Sequence, residues 1–268
     1  MSIKVNGTEI GSSIKLNNTD LSEIIFNGVS VWKSRIMLKK LPYNFRNGSV
    51  LVLNNEIHIL GGYESGTASK HYKFNGKNWV DMGALPYALG TGKAIVYNNK
   101  IHILGSNNQA DKTKHYRLDS SGWTSVSTLP SYGTVGSSII VYGGLLHILG
   151  GNTNGTVHYK WTGSSWLSDT DIPYDFNNGK AIVYNNKIHL LGGSGSRKNH
   201  YTFDGSIWNI TSLLPYEFYG GDGVVYNNEI HILGAGGNPN NHYKWNGTSW
   251  SSVSTLPYSF TQGSATTL

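Results

Sequence analysis

The chain has 268 residues, enough to bury the core of one large domain or two small ones. Charged residues are 13% of it, about half the usual share, while aromatics reach 12% and Gly 34 positions, a turn-rich β composition that excludes a disordered chain. The net charge of +6 comes from 21 Lys and Arg against 15 Asp and Glu, but the basic residues are scattered singly, which argues against nucleic acid and leaves anionic wall polymers as candidate partners; with no Cys, disulfides and thiolate metal sites are excluded.

Taken from the start, Met1 to Gly7 lacks the apolar stretch of a signal peptide, and no segment approaches the length of a membrane span. The expectation is a protein made in the cytoplasm without a signal peptide and with no membrane partner. Ile3 to Ile10 and Glu23 to Trp32 read as short strands around Asn6-Gly7 and Asn27-Gly28, within an N-terminal β segment of residues 1–40. From residue 41 a single unit recurs. A Leu-Pro or Ile-Pro pair ends at Pro42, Pro86, Pro130, Pro173, Pro215 and Pro257, and Trp79, Trp123, Trp166, Trp208 and Trp250 keep the same step of 42 to 44 residues. Repeats start near 41, 85, 129, 172 and 214, with a closing strand in 256–268.

Each unit reads as four short strands. The first is an apolar run, Ser49 to Leu53 in the first copy, followed by a two-residue turn at Asn54-Asn55, Asn98-Asn99, Gly143-Gly144, Asn185-Asn186 or Asn227-Asn228, residues that tolerate positive φ. The second strand, Ile57 to Leu60, ends in Gly61-Gly62; the third carries His71-Tyr72, and Asn75-Gly76 turns into the fourth at Trp79. Repeated four-stranded units of this length with no helical periodicity predict an all-β propeller. The double Gly, the Tyr followed after six intervening residues by a Trp, as at Tyr72 and Trp79, and their recurrence as Tyr116 and Trp123, Tyr159 and Trp166, Tyr201 and Trp208, and Tyr243 and Trp250 resemble the kelch motif across residues 41–255, with Gly105-Ser106 and Gly234-Ala235 departing at the double Gly. A WD40 propeller fits the period but not the signature, since no Trp-Asp pair occurs.

Leu256-Pro257 opens a sixth copy that stops after its first strand, and Ile24 to Trp32 is similar to the last hairpin of a unit. The preferred arrangement is therefore a kelch-like propeller of six blades, the last closed by N- and C-terminal strands; the alternative is five blades plus a small N-terminal β module. The Asn-Gly hairpin segments of residues 1–33 also resemble those opening tail proteins of Gram-positive phages and phage-tail-like particles, which implies a virion or particle component with other tail or baseplate proteins as partners.

Ten His fall on two repeat positions, His58, His102, His147, His189 and His231 in the second strand and His71, His115, His158, His200 and His242 before the motif Tyr. Catalytic groups break a scaffold's symmetry, whereas packing groups recur with every blade, so these imidazoles are expected to be structural, with no metal and no cofactor. Trp161 and Trp245 stand where other copies have Phe74, Leu118 and Phe203, and are read as size variants of one semi-exposed position. The connection into each first strand supplies Tyr43, Phe45, Tyr87, Tyr132, Tyr174, Phe176, Tyr216, Phe218, Tyr258 and Phe260, a candidate aromatic circle for stacking on sugars, against the plainer reading of wedges between blades. The variable stretches between second and third strands carry Asn107, Asn108, Asn152, Asn154, Asn199, Asn238 and Asn240, amides suited to hydroxyl-rich ligands.

Three functions fit these features. The first is a non-catalytic module binding a cell-surface glycan or wall polymer, and the second a structural or protein-binding propeller within an assembly. The third is a polysaccharide-processing enzyme built on asymmetric carboxylates such as Glu64, Asp111, Asp169, Asp171, Asp175, Glu217 and Asp222. Kelch propellers include copper-radical oxidases, which need a Cys this chain lacks, and sialic-acid-processing proteins, which need clustered Arg where only Arg35, Arg46, Arg117 and Arg197 exist.

Overall fold

The computed structural model describes residues 40–45, 47–62, 66, 68–130, 134–152, 154–261 and 265, and before residue 40 the strands Ile3–Val5, Thr8–Ile10, Lys15–Leu16, Thr19–Asp20, Glu23–Phe26 and Val29–Lys33. The chain divides into two compact units, Met1–Lys40 and Leu41–Leu268. In the first, the six strands pair in sequence as three two-stranded antiparallel sheets. Its last pair joins Phe26 to Val29, two residues apart, whereas the blade hairpin it resembles in sequence joins Phe74 to Trp79, four residues apart. The segment therefore has its own hairpin geometry.

The second unit is a β-propeller of five four-stranded antiparallel blades. Blade one is Ser49–Leu53, Glu56–Leu60, Lys70–Phe74 and Trp79–Ala84; blade two is Lys93–Tyr97, Lys100–Leu104, Lys114–Asp119 and Gly122–Thr128. Blade three is Ser138–Tyr142, Leu145–Leu149, His158–Trp161 and Trp166–Ser168; blade four is Lys180–Tyr184, Lys187–Leu191, Asn199–Phe203 and Trp208–Leu213; blade five is Asp222–Tyr226, Glu229–Leu233, His242–Trp245 and Trp250–Ser252. The tight first turns form as their residues dictate. Asn54 and Asn55 have φ of 52° and 63°, and Asn98, Asn99, Asn185, Asn186, Asn227 and Asn228 repeat that geometry, which matches the twist of the paired strands. At the second turn the Asn75 side-chain oxygen accepts the N–H groups of Lys77 and Asn78 at 3.0 and 2.9 Å, and Asp204 and Asn246 do the same in blades four and five. The Ser206 hydroxyl and these amides hold the Asp204 carboxyl down to about 2.

The preferred sixth blade shared between the chain ends is corrected to five blades, each supplied by one continuous repeat. The segment after blade five nevertheless continues the path that joins every blade to the next. Leu256 donates its N–H to the carbonyl sixteen residues earlier, as do Leu85, Leu129, Ile172 and Leu214, and Phe260 bonds twenty-one residues back, as do Leu89, Phe176 and Phe218. Ala265 then donates its N–H to Asp222 at the channel described below, in the place of a sixth first strand.

The core lies between blades. In every blade the second-strand His Nδ1 meets the third-strand His Nε2 at 2.8–2.9 Å. The third-strand ring then packs on aromatics of the following blade: His71 on Trp123, His115 on Trp161 and Trp166, His158 on Phe203 and Trp208, His200 on Trp245 and Trp250. Trp161 and Trp245 are thus fully buried, which corrects the semi-exposed reading, while the motif Trp beside them are half-buried. Burial lowers all ten imidazoles below the usual range, to about 4 for His71, His102, His147 and His189 and about 3 for His115 and His200. A pair protonated on both rings carries N–H at all four nitrogens and loses the acceptor that joins them.

Two predictions follow from this packing. Between pH 6.5 and about 4 the unfolded chain binds protons that the folded chain refuses, so stability conferred by neutral imidazoles is present above pH 6.5 and lost as pH falls. Denaturant titrations should show a slope of several times about 1.4 kcal/mol per pH unit over that window; a slope worth less than one proton would contradict buried neutral pairs. Separately, a Cβ at Gly179 would overlap the Phe176 ring and approach the Leu191 carbonyl at 2.9 Å, so Gly179→Ala is expected to cost about 1–3 kcal/mol in the same assay.

Candidate functional site

The five first strands stand side by side around a central channel. Their leading residues, Ser49, Lys93, Ser138, Lys180 and Asp222, pair with the last Leu of each second strand and are equivalent positions. They point into a polar cavity of about 310 Å³ that Thr91, Ser137 and Ala265 also line. Here alone does one strand position carry hydroxyl, ammonium and carboxylate groups in different blades. Acceptors alternate with lysines: Ser49 Oγ accepts the Ala94 N–H at 3.0 Å, Ser138 Oγ the Ala181 N–H at 3.0 Å, and Asp222 Oδ2 the Ala265 N–H at 2.6 Å. Each of these bonds ties one blade's first strand to the next inner place, so Ala265 occupies a sixth place around the channel. Asp222 also accepts the Gly223 N–H at 2.8 Å and pairs with Lys180 at 2.5 Å. Lys93 has no ion-pair or hydrogen-bond partner for its ammonium among the described residues, and burial, then the Lys180 charge, lowers its pKa against the opposing pull of Asp222.

The mouth of this channel lies on the face where the strand two–three loops meet the loops entering each blade. Ser194 bonds Asn177, Gly236 bonds Tyr219 and Asn152 bonds Val135 through their backbones at 2.8–2.9 Å, and Thr91 N–H reaches Asn107 Oδ1 at 3.3 Å. Two buried polar atoms at this rim, Thr91 Oγ1 and Asn177 Oδ1, have no protein partner.

The aromatic circle proves to be packing. Tyr43, Tyr174 and Tyr216 donate their hydroxyls to the carbonyls of Gly61, Gly192 and Gly234 at 2.7–2.8 Å, and Phe176 and Phe218 are completely buried. Lys70 and Lys114 cover the Tyr43 and Tyr87 rings at 5.7 and 5.6 Å, Phe45 packs on Tyr43, and the Tyr174 and Tyr216 rings lie against Tyr201 and Tyr243. Burial raises the hydroxyl pKa of all four tyrosines, the mark of desolvated wedges. Tyr87, Phe176, Tyr216 and Phe218 are buried and offer no face to a sugar, whereas Tyr43, Phe45 and Tyr174 are partly exposed. Tyr258 is the exception at 65% exposed, with Phe260 half-buried; Tyr132 lies outside the described residues.

Of the loop amides, several build the loops themselves. Asn107 holds Thr91, Asn108 bonds Asp111 and Ala110, Asn154 bonds Thr156, and Asn240 bonds the Leu256 carbonyl. The side chains of Asn199 and Asn238 make no such bond among the described residues and stay open to the rim, as does Gln109. Asn152 places its amide over Gly136, where a Cβ would collide with it. The channel lysines lie outside the variable loops to which sequence reasoning points; their signal is the first strand's leading position, where the repeat changes chemistry.

His147, His158 and Asp169 hold potential metal-ligand atoms within 4.8 Å of one another. The imidazole nitrogens of that group already lie against protein atoms, His147 against His158 and the Tyr142 carbonyl and His158 against the Thr170 carbonyl, contacts of which two neutral rings donate two, while Asp169 pairs with Lys160 at 3.1 Å. Of the other candidate carboxylates, Asp111 pairs with Lys114 and Glu217 with Arg197, Asp171 and Asp175 are exposed and make no ion pair among the described residues, and Glu64 is outside the described residues.

No protein-family model matches the chain, and no curated protein is similar to it. The fold has relatives among solved structures. The structure of YjhT, a propeller protein, superposes with a TM-score of 0.74 at 14% identity, covering 84% of this chain and 88% of that one, a likeness of fold alone.

Because Asp222 joins blade five to the inner segment and neutralises Lys180, Asp222→Ala is expected to lower stability by about 1–3 kcal/mol. The Ala265 amide should also lose hydrogen-exchange protection, and retention of full protection in that variant would refute the assigned bond.

Proposed function

We propose that the chain is a non-catalytic binding module that recognises a cell-surface glycan or wall polymer at the channel mouth, as a receptor-binding component of a phage or phage-like particle. The observation that carries this reading is the confinement of variation: blades repeat in turns, imidazole pairs and wedges, while the loops and leading residues that differ between blades converge on one face around a polar channel. A rigid scaffold with divergence on one rim is how repeat proteins set specificity. The rim supplies amides, hydroxyls and backbone groups, the partners a hydroxyl-rich ligand takes. Ion-paired carboxylates and mutually bonded imidazoles favour binding over general acid–base chemistry. The particle context rests on the resemblance of the Asn-Gly segments of residues 1–33 to those of phage tail proteins, with tail or baseplate proteins as further partners.

A second reading, a protein-binding propeller, draws on the outer strand of blade four. That strand leaves Ile210 and Leu213 more than 60% exposed beside Ile207.

Glycan-array and wall-adsorption assays on the full chain test the primary reading. Gln109→Ala and Asn238→Ala, which touch no side-chain bond of the fold, are expected to weaken binding about tenfold each, roughly 1.4 kcal/mol, without shifting the melting temperature. Binding that is indifferent to both, or to every rim substitution, would move the partner surface elsewhere.

A further inference from the structure

We propose that the central channel is an anion site, in which Lys93, with Lys180 beside it, takes a carboxylate or phosphate group of a ligand entering from the mouth. The inference rests on the mouth being a ligand site and adds that the ligand is acidic.

Charge in the channel does not balance. Three leading positions are acceptors and two are lysines, and the one carboxylate, Asp222, is saturated by Lys180 and the N–H groups of Gly223 and Ala265. Lys180 is thereby neutralised and fixed. Lys93 lines the same cavity with no ion-pair or hydrogen-bond partner among the described residues; the one carboxylate there, Asp222, is taken up by Lys180, and the rest of the lining is the Thr91 and Ser137 hydroxyls and glycine backbone. An ammonium withdrawn from water costs free energy unless a counter-charge accompanies it. Here the Lys180 ammonium adds repulsion that its partner Asp222 offsets only in part, and the lowered pKa of Lys93 reflects burial first and then that balance. An anion seated between the two lysines removes the repulsion and replaces lost hydration at once. A packing lysine at a propeller axis would instead recur from blade to blade, as the imidazoles do; these two occur in alternate blades, where the intervening positions supply acceptors to the backbone. The cavity, about 310 Å³, is at the lower end of ligand pockets, the size for one acidic sugar residue or a small organic acid and not for a polymer backbone. The polymer would lie across the rim and send a single charged substituent into the channel.

Titration calorimetry of the full chain with D-glucuronate, D-glucose and inorganic phosphate separates the possibilities, glucuronate and glucose sharing a ring and differing in the carboxylate. Glucuronate is expected to bind at least tenfold more tightly than glucose, to weaken as salt rises, and to lose that advantage in Lys93→Met, whose melting temperature should be unchanged or higher because a desolvated charge is gone. The Lys93 Nζ resonance should titrate at higher pH with glucuronate bound than without. Glucuronate binding equal in wild type and Lys93→Met, equal affinity for glucose, or no binding of either anion overturns the proposal. A neutral glycan captured on an array equally by wild type and Lys93→Met would overturn the anion site while leaving the binding-module reading intact; phosphate binding in place of glucuronate supports the site and names a phosphorylated ligand.

Discussion

The contact from which the propeller is assembled is a pair of neutral imidazoles set against the aromatics of the next blade. Within a blade it joins the second and third strands through a 2.8–2.9 Å nitrogen–nitrogen hydrogen bond; between blades the outer ring is pressed edge or tilt against Trp, Phe or both. One residue type thus performs two tasks that a Leu could not combine: it fills apolar space, and it supplies the directional bond that fixes how the strands stagger. The arrangement depends on both rings staying uncharged, so blade cohesion is tied to proton concentration in a way that aliphatic propeller cores are not.

That division of labour explains where function is free to vary. A group used to hold one blade on its neighbour must recur at every interface, and the Pro-Tyr wedges follow the same rule, the Tyr43, Tyr174 and Tyr216 hydroxyls each reaching a Gly carbonyl eighteen residues on in its own blade while the Tyr87 hydroxyl is buried without a partner. The channel obeys it only in part. The backbone bond across the inner strands is made by Ser49, Ser138 and Asp222, at alternate junctions, and this alternation releases the leading positions of blades two and four from structural duty. Lys93 and Lys180 occupy those released positions, so chemical asymmetry enters the molecule at the one inner site where symmetry is not needed.

Much of this was legible in the sequence, because the turns are dictated locally. Asn-Asn and Gly-Gly pairs demand positive φ, and the strands flanking them paired with the register those turns impose. That the imidazoles are structural followed from recurrence; that they bond to one another did not. What recurrence cannot reveal is which way a ring faces: Tyr174 and Tyr216 share a motif with exposed Tyr258, yet two are wedges bonded to glycine and the third is open. Nor does a strand's leading residue announce that it borders a channel, since Lys93 and Lys180 follow a Gly exactly as Ser49 and Asp222 do. Neighbouring chain, supplied by another blade, decides both.

The number of blades shows the same logic from the other side. Angular spacing is set by what each blade offers its successor, and blade five presents the full offer. Tyr97, Tyr142 and Tyr184 donate their hydroxyls to hairpin carbonyls of the next blade at 3.0–3.3 Å, while the equivalent Tyr226 is 54% exposed. His71, His115, His158 and His200 are sealed by the next blade's aromatics, whereas His242 is half-buried. At the axis, however, the successor's place is filled, because Asp222 holds Ala265 as Ser49 holds Ala94. The inner ring is thus continued by a segment that carries only the backbone of a first strand. A sequence period fixes the step between blades; how many complete blades stand on the ring depends on whether each repeat also brings the imidazole pair and the Trp that seal it.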